Sequence, residues 1–157
     1  MSLALNTEKV VRQMTIGKIE AISEEFFDVQ PPQFNNTIRW NLGHIISATD
    51  GLIFQRITQT SNLPEGFADF FRGGTKPADW TTTPPTKAEL IDLLKSQLHM
   101  LEEAFANRLD EKLSTPVQIR DFTFGTVGEV INFASVHEAI HSTVISDLLK
   151  VIQHQSR

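Results

Sequence analysis

The chain contains no cysteine. That absence excludes a disulfide scaffold, a thiolate metal site and a cysteine nucleophile, and it suits a reducing interior. Positive charge is also in short supply: 14 Lys and Arg stand against 19 Asp and Glu, for a formal charge of −5, and no basic stripe is present. A nucleic-acid surface is therefore not expected. No apolar run approaches membrane-spanning length, and Met1 to Asn6 lacks the charged start and apolar run of a signal peptide. The expectation is a soluble, cytoplasmic protein with no membrane partner. Internal repeats and low-complexity tracts are missing too.

Apolar material is plentiful. The 157 residues are 40% hydrophobic and include eleven Phe and two Trp. A chain of this length and composition is expected to bury one core, as a single domain over residues 1–157.

Four helices can be read. The first runs from about Leu5 to Asp28, with Val10, Val11, Met14, Ile22 and Phe26 as candidate buried residues, and Pro31 and Pro32 block its continuation. The second starts at Asn36 or Thr37, either a fair N-cap, and continues to about Gln59. Apolar residues cover most of its circumference, which implies burial on several sides. The third begins after Pro84 and Pro85 with Thr86 and Glu89 as a capping box, and its apolar stripe is Leu90, Leu94, Leu98, Leu101 and Phe105. The fourth repeats that device with Thr126 and Glu129 and runs to about Gln153. Between helices three and four, Val117 to Phe124 allow a brief extended stretch, but Pro116 and Gly125 bound it too tightly for a sheet to be expected. The connector from Thr60 to Thr83 is long for a helix–helix link and carries Phe67, Phe70, Phe71 and Trp80, with a short helix expected around Phe67 to Phe71. It is either a lid over the hydrophobic end of the molecule or a wall of a substrate pocket. The expected fold is all-α: an antiparallel four-helix bundle with a long aromatic-rich crossover between helices two and three.

The last helix holds the most informative pattern. Val130, Ala134, His137, His141, Val144, Leu148 and Val151 follow one another in alternating steps of four and three, which keeps them on one face. Two imidazoles in such a seam are costly to bury unless both ring nitrogens find partners, and a divalent metal bridges them best. A third ligand must come from another helix. His154 lies near the end of the fourth helix and His99 off the apolar row of the third, so both read as surface residues. His44 lies among Ser47, Ala48 and Gly51, small residues that leave room for a bound group, with Trp40 one turn before it. It sits off the most apolar side of its helix, so on spacing alone it is one reading of two, ligand or hydrogen-bonded core histidine.

Residues 137–141 also spell H-E-x-x-H, the zinc-peptidase pattern, in which the Glu is general base. The extended form needs a Gly three residues after the second His and a ligand three beyond. Here those positions are Val144 and Asp147; the helix continues, and Asp147 points about 120° away from His141. The peptidase reading fails on geometry.

Thr37-Ile38-Arg39-Trp40-Asn41-Leu42-Gly43-His44-Ile45 resembles the start of the second helix in the DinB/YfiT-like superfamily. The pair His137 and His141, with Glu138 after the first, resembles that superfamily's last-helix motif. Helix order, the long second connector and total length agree, so the likeness spans the chain. It implies a four-helix bundle in which His44, His137 and His141 hold one divalent transition metal ion in an open cleft: Zn or Ni first, Fe or Mn next. Where many members continue with a further His or an Arg-Gly-Gln run, this chain has Ser142-Thr143-Val144, which leaves the substrate open. The resemblance further implies a metal-dependent enzyme: a thiol S-transferase of the bacillithiol or mycothiol kind, or a related hydrolase or isomerase. Its substrate would be a small molecule, such as a low-molecular-weight thiol bound as thiolate. A homodimer is implied as well. Glu138 is the candidate catalytic residue, beside the metal face, against an exposed helix carboxylate as the plainer reading. Asn41 and Gln55 are candidates to fix the other ring nitrogen of His44. Trp40, Phe71 and Trp80 are candidates for the pocket wall or the core. The competing function is a metal-binding or regulatory bundle without catalysis, which a fourth protein ligand would favour.

Overall fold

The computed structural model describes residues 3–155. Among these it is mostly helical: α1 (Leu3–Ala21), α2 (Ile38–Thr49), α3 (Phe67–Phe71), α4 (Lys87–Phe105) and α5 (Val127–Gln155), with a hairpin of β1 (Lys112–Ile119) and β2 (Phe122–Thr126) between α4 and α5. The expected third and fourth helices are α4 and α5. No helix among the described residues is long and apolar enough to cross a membrane.

Local chemistry sets most of the boundaries. Thr37 caps α2 by accepting from the Trp40 amide at 3.2 Å. Thr86 and Glu89 form the reciprocal capping box that starts α4. Thr126 and Glu129 exchange the same pair of bonds, at 3.0 and 3.3 Å, ahead of α5. After Thr49 the second helix continues as a π-helical segment, Asp50–Thr58, and stops at Gln59 in the left-handed conformation, φ 56°.

Four expectations need correction. The first helix ends at Ala21, and a 3-10 turn at Glu24–Phe26 replaces its projected last turn. Its inward face is Leu5, Glu8, Arg12, Thr15, Ile16 and Ile19, while Val10 and Met14 are exposed; the charged pair takes the positions that hydrophobicity assigned to its neighbours. In α4 the buried residue at the middle of the stripe is Gln97, with Leu98 only half-buried. The stretch around Val117 does form a sheet: Val117, Gln118 and Ile119 pair antiparallel with Phe124, Thr123 and Phe122. The ladder reaches Lys112 through a register shift between Lys112 and Val117, the region that holds Pro116, whose missing N–H a bulge tolerates.

The four long helices pack in a ring, α1 on α5 and α4, α2 on α5 and α4. Their directions follow from the bonds between them. Glu8, Arg12 and Lys18 meet Ser135, Glu138 and Ser142 in that order, so α1 and α5 run the same way. Arg39 bonds to Pro85 O and Gln97 to Ile46 O, so α2 and α4 also run together. Lys9 with Glu102 and Glu20 with Lys95 make α1 and α4 antiparallel. Only some neighbours are therefore antiparallel. Because α2 and α4 start at the same end, the chain leaving Thr58 must return along the molecule before Thr86, and this is why the connector is long.

Two apolar clusters fill the ring. One gathers Ile19, Leu42, Ile45, Phe71, Leu90, Leu94, Ile145 and Leu148; the other gathers Leu5, Phe54, Leu101, Phe105, Val117 and Val130. Each long helix carries a buried polar residue between the two clusters: Glu8 and Arg12 on α1, Thr49 on α2, Gln97 on α4, Ser135 and Glu138 on α5.

Candidate metal centre

Where α2 crosses α5, His44, His137 and His141 converge. Ring centroids are 5.1 Å apart for His44 and His137, 4.6 Å for His44 and His141, and 4.6 Å for His137 and His141. One nitrogen from each ring lies within 4.8 Å of the others, and these three side chains are the cluster of metal-donor residues among the described residues. All three are half-buried. His137 and His141 sit on the flank of α5 facing α2, because the buried face of that helix includes Val130, Ile131, Ala134, Ser135, Glu138, Ser142, Ile145 and Leu148. The stripe read through His137 and His141 is thus the edge of the core, not its centre.

The outward nitrogens of two rings are pinned. His141 Nδ1 lies 2.8 Å from Asn41 Oδ1. The Asn41 amide donates to Asn36 Oδ1 at 2.8 Å and to the Thr37 carbonyl at 2.9 Å. Both of its hydrogens are thus committed to acceptors, its oxygen faces the imidazole, and His141 carries its proton on Nδ1. His44 Nδ1 lies 2.7 Å from the Phe71 carbonyl, which can only accept, so this ring too is protonated on Nδ1. In both, Nε2 is left with a free lone pair. Trp40 stacks on His44, centroids 4.7 Å apart and planes 9° from parallel.

Electrostatics keeps the rings neutral. Burial first, and the neighbouring His44 second, hold the His137 pKa down to about 4. His141 is lowered to about 4 by burial and then by His137 and His44. Burial also lowers His44, and its bond to Phe71 O opposes the shift. Three neutral imidazoles that repel one another's protons form a donor set for a cation. In a tetrahedral site with Zn–N bonds of about 2.1 Å the nitrogens stand about 3.4 Å apart. A span within 4.8 Å reaches that spacing by small side-chain rotations, so the residues present fit a divalent ion.

Other residues singled out from the sequence lie elsewhere. Glu138 is neither exposed nor among the clustered donors. It is fully buried and bonds Arg12, Nε to Oε2 at 2.8 Å. Burial pushes its carboxyl up from the ordinary value, the Arg12 charge pulls it down and the Glu8 charge raises it again. Asn41 holds His141, not His44, and Gln55 donates to Asp50 at 2.6 Å. His99 is exposed beside Glu103, and His154 is exposed near the end of α5. Asp147 pairs with Lys150. Phe71 and Trp80 pack against each other in the connector, 5.6 Å between centroids. The cavity of about 610 Å³ beside Phe67, Phe70, Pro84, Pro85 and Leu93 is lined by none of the three histidines.

The residues that sequence reasoning missed form the Arg12 network. Arg12 also bonds Glu8, Thr49 and Gln97, and Ser135 donates to Glu8 at 2.6 Å. Glu8 and Arg12, four residues apart on a face that continues Leu5, Ile16 and Ile19, were the available signal.

A mostly helical chain with a clustered three-histidine donor set defines a class of proteins able to hold a metal ion. The family model of the DinB superfamily matches residues 9–145, and the chain belongs to that superfamily. No curated protein matches the chain significantly.

Proposed function

We propose that this protein is an enzyme dependent on one divalent transition metal, held by His44, His137 and His141, and that it transfers a low-molecular-weight thiol. The fold is read as a single four-helix-bundle domain with α3 in its crossover. The observation that carries the reading is a cluster of three neutral imidazoles, two of them oriented from outside so that Nε2 stays free. Three protein donors leave a tetrahedral ion one position for a reactant, whereas structural zinc sites are closed by four. Zn or Ni suits this donor set best, with Fe or Mn as the alternatives.

When bound, the ion supplies Lewis-acid activation of an incoming thiol. The thiol gives its proton to solvent, its sulfur forms a bond to an electrophilic carbon of the co-substrate, and the leaving group departs with the bonding pair. The chain contains no cysteine to compete with that sulfur. Trp40 covers one face of His44 and so restricts water there. Glu138, committed to Arg12, is left out of the chemistry. A hydrolase or isomerase would use the same centre with a different reactant. A cytoplasmic homodimer completes the reading, and exposed Val10 and Met14 on α1, with Val136 and Ile140 on α5, are apolar surface for a second copy.

The test is conjugation of several small thiols to an electrophile by zinc- and nickel-loaded protein. Rate enhancement that chelation abolishes is the expected outcome. Metal binding without stimulation by any thiol would leave a metal-binding module instead.

A further inference from the structure

We propose that the connector is part of the metal centre: the Phe71 carbonyl holds His44 with Nε2 directed at the ion, and Gly43 is the positioning residue that lets Phe71 reach it. This rests on the three-histidine reading above and adds a positioning element to its ligand set.

Phe71 is the last residue of α3, where carbonyls have no intrahelical partner, and its oxygen takes the His44 Nδ1 proton at 2.7 Å. The ring of the same residue is fully buried against α2. A Cβ on Gly43 would fall well inside van der Waals contact of Phe71 Cδ1, Cγ and Cε1, so the ring can lie there only because residue 43 has no side chain. The neighbouring residues clamp this short helix. Phe67, Phe70 and Trp80 surround the Phe71 ring at 4.9, 5.6 and 5.6 Å. Trp80 Nε1 donates to Phe70 O at 3.0 Å, and Thr75 Oγ1 donates to the same oxygen at 2.8 Å. Trp40, stacked on His44, reaches back to Thr75 Oγ1 at 3.0 Å. The connector and His44 therefore share two links, one through the Phe71 carbonyl and one through Trp40.

Withdrawing electrons from Nε2 makes the Nδ1 proton a stronger donor, so occupancy of the site tightens the bond to Phe71. The coupling is reciprocal: an ordered connector raises metal affinity, and metal orders the connector. Phe67 and Phe70 also line the cavity of about 610 Å³, which places that cavity's wall under the same control.

Zinc affinity by chelator competition, imidazole ¹⁵N spectra of the metal-free protein and amide exchange over residues 66–75 test the proposal. In the unaltered protein, zinc should slow exchange across that segment; unchanged exchange overturns the coupling. Gly43→Ala should weaken zinc binding about 10- to 100-fold, the range for losing a partner behind a ligand, and should remove the Nδ1-protonated signature of His44. Gly43→Ala with Phe71→Ala keeps the carbonyl and removes the clashing ring, and should bind zinc more tightly than Gly43→Ala alone. Affinity and spectra unchanged in Gly43→Ala, or no recovery in the double variant, overturn the inference. His137→Ala separates the two levels. If it loses zinc while Gly43→Ala keeps it, only the inference falls; if it keeps zinc, the metal reading falls too.

Discussion

Two polar clusters lie side by side along α5, and they satisfy their electrostatics in opposite ways. Toward α1, the Arg12 guanidinium sits among Glu8, Glu138, Thr49 and Gln97, so donors and acceptors from four helices answer one another between two apolar cores. Toward α2, three imidazoles face each other with no counter-charge among them, and the hydrogen bonds present hold two of the rings from behind. The first cluster pairs its cation with its own two carboxylates, and among the described residues only Glu138 Oε1 is left without a hydrogen-bond partner there. The second is a set of nitrogen donors within 4.8 Å of one another, and burial first, then the neighbouring rings, hold His137 and His141 down to about 4. A buried charge paired with carboxylates from two helices ties those helices together, whereas neutral imidazoles with no counter-charge among them can take up a cation.

The sharpest way to break that contrast is to remove one member from each side. His137→Ala or His141→Ala should abolish stoichiometric metal binding, measured by elemental analysis of purified protein, while helix content by circular dichroism stays unchanged. Arg12→Ala should do the reverse, costing about 3–5 kcal/mol because Glu8 and Glu138 are left buried without their cation, as read from urea unfolding of the metal-free protein. If Arg12→Ala unfolds no more easily than the His variants, the network does not hold the helices together.

Smaller effects refine the comparison. Asn41→Ala leaves all three ligands in place but frees His141 to rotate and change tautomer; zinc affinity should fall about 10- to 100-fold, by chelator competition. Acid should act through the open cluster. His137 and His141 are held to about 4 and His44 is lowered, so below pH 6.5 the unfolded chain binds protons that the native metal-free protein does not. Their contribution is complete above pH 6.5 and is lost as pH falls toward 4. Urea midpoints should drop over that window, and the drop should shrink in His137→Ala with His141→Ala. Thr126→Ala, in the hairpin-to-helix junction and bonded to neither cluster, should cost only about 1 kcal/mol as a lost cap, by thermal unfolding.

The elements governed by local chemistry were legible in the sequence. Thr37, Thr86 with Glu89, and Thr126 with Glu129 mark helix starts because their side chains satisfy backbone donors within four residues. His137 and His141 were legible by helical spacing, and the resemblance carried by residues 37–45 supplied His44 as the third member. What stayed hidden depends on contacts distant in the chain. Glu138 looked like a surface carboxylate or a catalytic group because its partner, Arg12, is 126 residues away. Val10 and Met14 looked buried because hydrophobicity cannot show that Glu8 and Arg12 are matched by α4 and α5. The hairpin was missed because Pro116 reads as a stop, whereas the shifted register steps around it.

X-ray absorption at the zinc edge of the loaded protein is the most direct test of the open three-histidine centre. The expected spectrum contains three imidazole nitrogens at about 2.0–2.1 Å and one light-atom ligand that a small thiol replaces with sulfur at about 2.3 Å. Four protein donors unaffected by thiol, or fewer than three imidazoles, would contradict it.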